Sequence, residues 1–236
     1  MNKLYIGTSG YSYAYWKNRF YPEKLPAAKW LNYYSEQFNS LELNYSFYKF
    51  PVVEQLKKMA ERTPEDFRFT VKANKVITHT LRMRKATEKI IEFTDIVNSG
   101  LENKLACILF QLPPSYSYTE ERLNDILTQL DHQPHNVIEF RHASWWTKEV
   151  YLELNKAKLT FCSVSYPGLP DDDIVTSSVF YKRMHGMPEL FKSSYSAQQL
   201  KGLSSHIPKE KEAFIYFNNT TFEAAYTNAR TLISLM

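Results

Sequence analysis

Two rhythms alternate along this chain: short apolar or two-periodic runs that read as strands, and longer stretches whose apolar residues recur at helical spacing. Leu4-Tyr5-Ile6 runs into the glycine turn Gly7-Thr8-Ser9-Gly10, then an aromatic loop, then a helix over Ala27 to Phe38 carrying Trp30, Leu31, Tyr34 and Phe38. Ser40 to Tyr48 alternates, with Leu41 and Leu43 on one face and Glu42 and Asn44 on the other. Pro51 opens a helix at its first-turn position, with Val53, Leu56 and Ala60 along one side. Phe67 to Asn74 is a third strand with Thr70, Lys72 and Asn74 of one parity. A loop bearing Thr78 and His79 leads to a helix over Lys85 to Ser99, with Gly100 as its stop.

The second half keeps the rhythm. Leu105 to Leu112 is nearly all apolar, as a strand covered on both faces should be, and Pro113-Pro114 ends it just after Gln111. Thr119 caps a helix striped by Leu123, Ile126, Leu127 and Leu130. The fifth strand enters VIEFRHASWW (137–146), where Glu139 and Arg141 share a face. Thr147 caps a helix with Val150, Leu154 and Ala157, and Leu159 to Tyr166 is a sixth strand followed by the turn-rich PGLPDDD in place of a helix. Ser178 to Gly186 is the seventh strand, with Tyr181, Arg183 and His185 of one parity. Ser196 and Gln199 form a capping-box pattern, Ala213 to Asn219 is the eighth strand, and a closing helix starts at Phe222.

Eight strands alternating with helices in a chain of 236 residues predict an α/β fold, a single (β/α)8 barrel of the TIM type over residues 1–236, irregular at its sixth unit. A doubly wound sheet is the alternative, but no strand-to-helix Gly-x-Gly-x-x-Gly fingerprint supports it.

In a barrel the chemistry sits at the C-terminal ends of the strands. Those ends carry Thr8, Glu42 and Asn44, Lys72 and Asn74, Gln111, Glu139 and Arg141, Arg183 and His185, and Asn218. Singly, each has a structural role open to it: the glutamates as partners of arginines, Lys72 with its amine led to solvent, His185 and His79 as satisfied loop residues, Gln111 and Asn218 as braces. Together they form a constellation. Arg141, Arg183 and Lys72 suit an anionic group, and Glu42, Glu139 or His185 suit acid–base work. Lys72 at a strand end also raises Schiff-base chemistry. No cofactor is evident; Glu42, Glu139, His79 and His185 are the set that a divalent metal would use, the less favoured option because no His-Glu-x-x-His or tight cluster supports it.

Composition narrows the partners. Hydrophobic residues make up 44% and charged ones 23%, which excludes wholesale disorder. Aromatics reach 15%, with 17 Tyr, compatible with a lined, wet cavity whose mouth holds Tyr11, Tyr13, Tyr15, Trp16, Trp145 and Trp146. A net charge of +4 from scattered Lys and Arg permits a small anionic ligand and does not call for nucleic acid. Cys107 and Cys162 lie in apolar runs, as buried free thiols in a reducing cytosol do. No leader pattern and no membrane-spanning apolar run is present, so a cytoplasmic protein without a membrane role is expected. The sequence carries no signal of oligomeric state.

Seven motifs, GTSGYSYAYW…FYP (7–22), LELNYSFYKFP (41–51), FRFTVKAN…THT (67–80), LFQLPPSY (109–116), IEFRHASWW (138–146), YKRMHG (181–186) and YFNN (216–219), resemble the YecE-like family, catalogued as domain of unknown function 72. The resemblance spans nearly the whole chain and implies a TIM-type barrel without an assigned role. Matched residue by residue, it points to Thr8, Glu42, Asn44, Lys72, His79, Gln111, Glu139, Arg141, Arg183, His185 and Asn218. Two departures stand out: Tyr11 replaces the usual Trp, and Ser165-Tyr166-Pro167 stands where the family's sixth strand ends in Asp before Pro. The missing Asp weakens a metal centre further.

Three functions are compatible with these residues. The leading one is an enzyme acting by acid–base chemistry on a small polar, anionic metabolite, with Glu42, Lys72, Glu139 and His185 reacting and Thr8, Tyr11, Asn44, His79, Gln111, Arg141, Arg183 and Asn218 binding. The others are a metal-dependent, nuclease-like phosphodiesterase barrel, and a non-catalytic module binding an anion or a partner.

Overall fold

The apolar run Leu105–Gln111 forms β4, buried along nearly all its length, in a computed structural model describing residues 3–130, 133 and 135–236. With it stand β1 (Leu4–Thr8), β2 (Ser40–Leu43), β3 (Arg68–Lys72), β5 (Asn136–Glu139), β6 (Thr160–Ser165), β7 (Val179–Met184) and β8 (Glu212–Phe217). All are parallel, and hydrogen bonding runs in the order β1-β8-β7-β6-β5-β4-β3-β2. The last strand thus pairs with the first, and the sheet curls into the expected (β/α)8-type barrel.

The seam between β1 and β2 is closed mostly by side chains. A single parallel bridge joins Ser9 to Glu42. Asn39 imitates a ladder residue, accepting from Ile6 N at 2.9 Å and donating to Leu4 O at 2.8 Å. The Tyr34 hydroxyl, from the first helix, accepts from Thr8 N at 2.8 Å and donates to Ser40 O at 3.1 Å. Gly7 is required there, because a Cβ would lie 2.0 Å from the Ser40 carbonyl oxygen.

The helices are α1 (Trp30–Gln37), α2 (Val53–Ala60), α3 (Thr87–Leu101), α4 (Glu120–Gln129), α5 (Lys148–Lys156), α6 (Ala197–His206) and α7 (Ala224–Ser234). The Thr119 and Thr147 caps and the Ser196–Gln199 capping box form as the sequence predicts. Burial divides into two layers, as inward and outward strand faces require. Tyr5, Cys107, Leu109, Val137, Cys162, Val164, Val179, Tyr181, Phe214 and Tyr216 are among those filling the barrel. A larger set lies between the strands and the helices. Both cysteines are buried free thiols.

No helix separates β6 from β7, and the loop after β6 covers their outer face instead. Lys182, on that face, donates to Asp171 Oδ1 at 2.8 Å and Asp173 Oδ1 at 2.7 Å. Ser163 Oγ accepts from Ile174 N at 2.8 Å, and Thr176 bridges to the Leu159 carbonyl and the Phe161 amide. Polar strand residues therefore meet polar loop where elsewhere apolar residues meet a helix.

Three local expectations are corrected. Residues 44–48 do not continue β2: a 3-10 turn over Tyr45–Phe47 follows, held where Ser46 Oγ donates to Lys72 O at 2.7 Å. Gly100 does not stop α3 but lies inside it, where a Cβ would come 2.5 Å from Leu56 Cβ; it is a packing glycine between α2 and α3. Pro51 precedes α2 rather than occupying its first turn, and Val52 is the cap. Among the described residues no helix is long and apolar enough to cross a membrane.

Candidate active site

Strand parity brings three charged side chains to one level at the C-terminal end of the barrel. Glu42 ends on β2, Glu139 on β5 and Arg183 on β7, and all three are at most 1% exposed. Arg183 spans the two carboxylates, donating from Nη2 to Glu42 Oε1 and from Nη1 to Glu139 Oε2, each at 2.6 Å. The remaining carboxylate positions are also filled. Glu42 accepts from Ser9 Oγ and from the Tyr181 hydroxyl, each at 2.6 Å. Glu139 Oε1 accepts from Arg141 Nε. Buried ions persist only when paired and hydrogen-bonded in this way. Burial alone would raise the Glu139 carboxyl, but Arg141 and Arg183 overcome it and hold the group well below the usual carboxylate range.

His185 joins this network as a neutral ring. Burial, reinforced by Arg141, pushes its pKa down to about 3. Asn218 Nδ2 lies 2.9 Å from His185 Nδ1, and His185 Nε2 lies 3.3 Å from Glu139 Oε1. With Nδ1 accepting from Asn218, Nε2–H points to Glu139, and Arg141 Nη2, 3.3 Å from the same nitrogen, makes no hydrogen bond to it. Two glutamates, two arginines and a neutral histidine leave no net charge.

Arg141 is anchored on one side only. Its guanidinium stacks 4.3 Å over the Tyr166 ring, Nε is taken by Glu139, Nη2 lies 3.3 Å from His185 Nε2, and Nη1 is bonded to no described residue. Lys72, at the end of β3, has no carboxylate at all. Its amine donates to Gln111 Oε1 at 2.7 Å and lies 4.3 Å from the centre of the Phe47 ring. Gln111 Nε2 donates to Leu112 O at 2.7 Å, which turns the amide oxygen toward Lys72. Burial, with Arg183 and Arg141 outweighing the two glutamates, lowers the Lys72 ammonium to a pKa of about 7.

These groups floor a cavity of about 700 Å³. Lys72, Gln111, Arg141, Arg183 and Asn218 form its polar end, and Tyr11, Tyr13, Tyr45, Phe47, Tyr48 and Phe191 its aromatic wall. Asn44 also lines it, and Asn44 Oδ1 is buried with no hydrogen-bond partner.

The sequence-predicted residues therefore divide. Tyr11, Asn44, Lys72, Gln111, Arg141, Arg183 and Asn218 line the cavity. Glu42, Glu139 and His185 lie fully buried outside the lining and reach it only through the arginines and Asn218. Read from the sequence as catalytic groups, these three have their polar atoms spent on Ser9, Arg183, Arg141, Tyr181 and Asn218. His79 stands behind Phe47, edge to face at 4.9 Å, with Nδ1 on the Thr78 hydroxyl and its pKa lowered by burial to about 4.

Thr8 is misplaced by parity. Tyr5 points into the barrel, so Thr8 points outward, where its hydroxyl donates to Gly10 O at 2.6 Å and lies 3.0 Å from that of Tyr34. Ser9 takes the inward place on Glu42. Carrying the alternation on from Tyr5 would have found it. Tyr166, Tyr181, Phe47 and Phe191 were also missed, the last two because only chain folding brings them to Lys72. Trp16 and Trp145 belong to the core, not the mouth: both are fully buried, their indoles donating to Phe222 O and Tyr116 O. Trp146 packs its edge on Phe161, and Tyr15, though exposed, lies outside the lining. Among the described residues no group of three or more His, Cys, Asp or Glu side chains is arranged to hold a metal ion.

The family model described as "Protein of unknown function DUF72" matches residues 5–236. This chain belongs to the DUF72 family. It is 27% identical to the UPF0759 protein YunF of Bacillus subtilis (strain 168) over 270 aligned residues, covering 99% of this chain and 94% of that protein. A crystal structure of a DUF72 family protein from Thermotoga maritima MSB8 superposes with a TM-score of 0.90 at 29% identity, over 99% of both chains. A DUF72 family protein from Enterococcus faecalis V583 shares the fold, with a TM-score of 0.81 at 21% identity over 100% of this chain and 98% of that one.

Proposed function

We propose that this DUF72 chain is an enzyme acting on a small anionic metabolite bound in the aromatic-walled cavity, with Lys72 as its reacting group. One observation carries this reading: Lys72 is a cavity-lining cation bonded to a neutral amide instead of a carboxylate. The network beneath it is electrically balanced, so a protonated Lys72 leaves one positive charge at the cavity floor. An anion on Arg141 and Lys72 neutralises it.

An amine with a pKa of about 7 exchanges its proton at working pH, which suits general acid–base chemistry. Glu42, Glu139 and His185 act as positioning residues: they fix Arg141 and Arg183 at the floor. Two buried free thiols favour a reducing cytosol as the setting.

Phenyl phosphate and benzoate test the cavity by calorimetry and thermal shift. Arg141→Met should weaken either by roughly 10–100-fold, the loss of one charged hydrogen bond of about 1.5–3 kcal/mol. If neither compound, nor inorganic phosphate, binds the wild type, the anionic-ligand reading is wrong.

A further inference from the structure

We propose that Lys72 forms an imine with the carbonyl carbon of a 2-oxo carboxylate that carries an apolar or aromatic side chain. The inference rests on the anion-binding reading of the cavity and adds the substrate class and the covalent step.

The geometry supplies the three recognition elements that such a molecule needs. Arg141 presents Nη1 without a described partner, while Glu139, Tyr166 and His185 surround the rest of its guanidinium, so it is oriented for a carboxylate. Lys72 Nζ faces the same space from β3. The aromatic wall, with Phe47 against the amine and Phe191 and Tyr48 also lining it, takes an apolar side chain. Asn44 Oδ1 is an acceptor for a hydroxyl on the bound molecule.

The environment also separates Lys72 from an ordinary ion-paired lysine. Every nearby carboxylate oxygen is occupied by an arginine, a hydroxyl or His185, so none reaches the amine. The charged groups around it are Arg183, Glu139, Arg141 and Glu42, and the arginines outweigh the glutamates. A lysine desolvated beside other cations is the usual form of a nucleophilic amine.

The step balances without a further reactant. The neutral amine adds to the carbonyl carbon, forming the C–N bond of a carbinolamine. The former carbonyl oxygen then leaves as water with both amine protons, giving the C=N bond. Protonation of the imine nitrogen by solvent makes it an electron sink, with Arg141 keeping the carboxylate in place.

The test is reductive trapping on the full chain. Wild-type protein is incubated with phenylpyruvate or pyruvate and sodium cyanoborohydride, and its peptides are mapped by mass spectrometry, with thermal shifts recorded alongside. The expected result is labelling at Lys72 over other lysines by roughly tenfold or more, as a positioned amine gains over a solvated one. Phenylpyruvate should label more strongly than pyruvate, and Arg141→Met should abolish the preference. Lys72→Met and Lys72→Gln, each checked for a wild-type circular dichroism spectrum, should lose the adduct and keep a thermal shift with phenylpyruvate. A shift in the wild type without preferential labelling overturns the imine and leaves anion binding standing. Absence of any shift with either oxo acid or with inorganic phosphate overturns both.

Discussion

The Lys72 amine lies 2.7 Å from the side-chain oxygen of Gln111, an uncharged partner for a cation at the floor of the cavity. A neutral amide compensates an ammonium less than a carboxylate does, and that deficit has a measurable signature in stability.

Lys72 has a folded pKa of about 7 against an ordinary 10.5. Between those values the unfolded chain binds more protons, so this group makes stability rise with pH across the window; below it the destabilisation is complete. Lys72→Met should therefore be more stable than wild type near neutrality, with the gap closing as pH rises toward 10.5. Urea unfolding of the two proteins across this range checks it. A gap that widens with pH would contradict the assignment.

Binding of an anion should reverse the same shift. A negative ligand beside Lys72 favours its charged form, so phenyl phosphate should be taken up together with a proton just above pH 7, where the free amine is mostly neutral (pKa about 7). Calorimetry in buffers of different ionisation enthalpy reads the uptake directly. Lys72→Met should bind without it.

Arg183 compensates two glutamates at once. Arg183→Met leaves the fully buried Glu42 and Glu139 short of their shared cation, and should cost about 3–5 kcal/mol of stability. Equilibrium denaturation measures the loss. A double variant, Glu42→Gln with Arg183→Met, should recover part of it by removing one stranded charge.

Acid should weaken the network in two windows. His185 is held neutral with a pKa of about 3 against an ordinary 6.5, so the unfolded state gains its proton first and stability falls as pH drops through that interval. Glu139, held below its ordinary 4.5, contributes stability above that value and loses it only as pH falls further. His185→Gln can still donate to Glu139 and accept from Asn218. It should flatten the stability curve between pH 6.5 and 4.5 and leave the steeper loss at lower pH.

The barrel seam offers a test of the fold. Tyr34→Phe removes the hydroxyl that serves both the Thr8 amide and the Ser40 carbonyl, leaving buried backbone groups unpaired. A loss of about 1–3 kcal/mol is expected in urea denaturation. Hydrogen exchange at the Thr8 amide should rise with it.

Periodicity alone was enough to place all eight strands, because inward and outward faces of a covered sheet impose alternation or continuous apolarity over their whole length. It also determined that polar residues gather at strand C-termini, including Lys72, Glu139, Arg141 and Arg183. The lack of a helix between β6 and β7 was legible in PGLPDDD for the same local reason: such a turn-rich run carries no apolar stripe. Local pattern misled where a single residue's facing mattered. Thr8 and Ser9 are neighbours at the end of β1, and alternation tells them apart only once the barrel shows that Tyr5 points inward. Gly100 looks like a helix stop until Leu56 is packed against it.

The division of labour in the site belongs wholly to tertiary structure. Glu42, Glu139, Lys72 and His185 are equivalent in sequence as ionisable groups at strand ends. Their chemistry separates through distances between residues far apart in the chain: Arg183 reaching both glutamates, Asn218 fixing the histidine, and Gln111 with Phe47 enclosing the amine. Charge pairing and desolvation depend on those distances, so the order of residues names the charged groups, and the folded barrel decides which of them is left without a counter-ion.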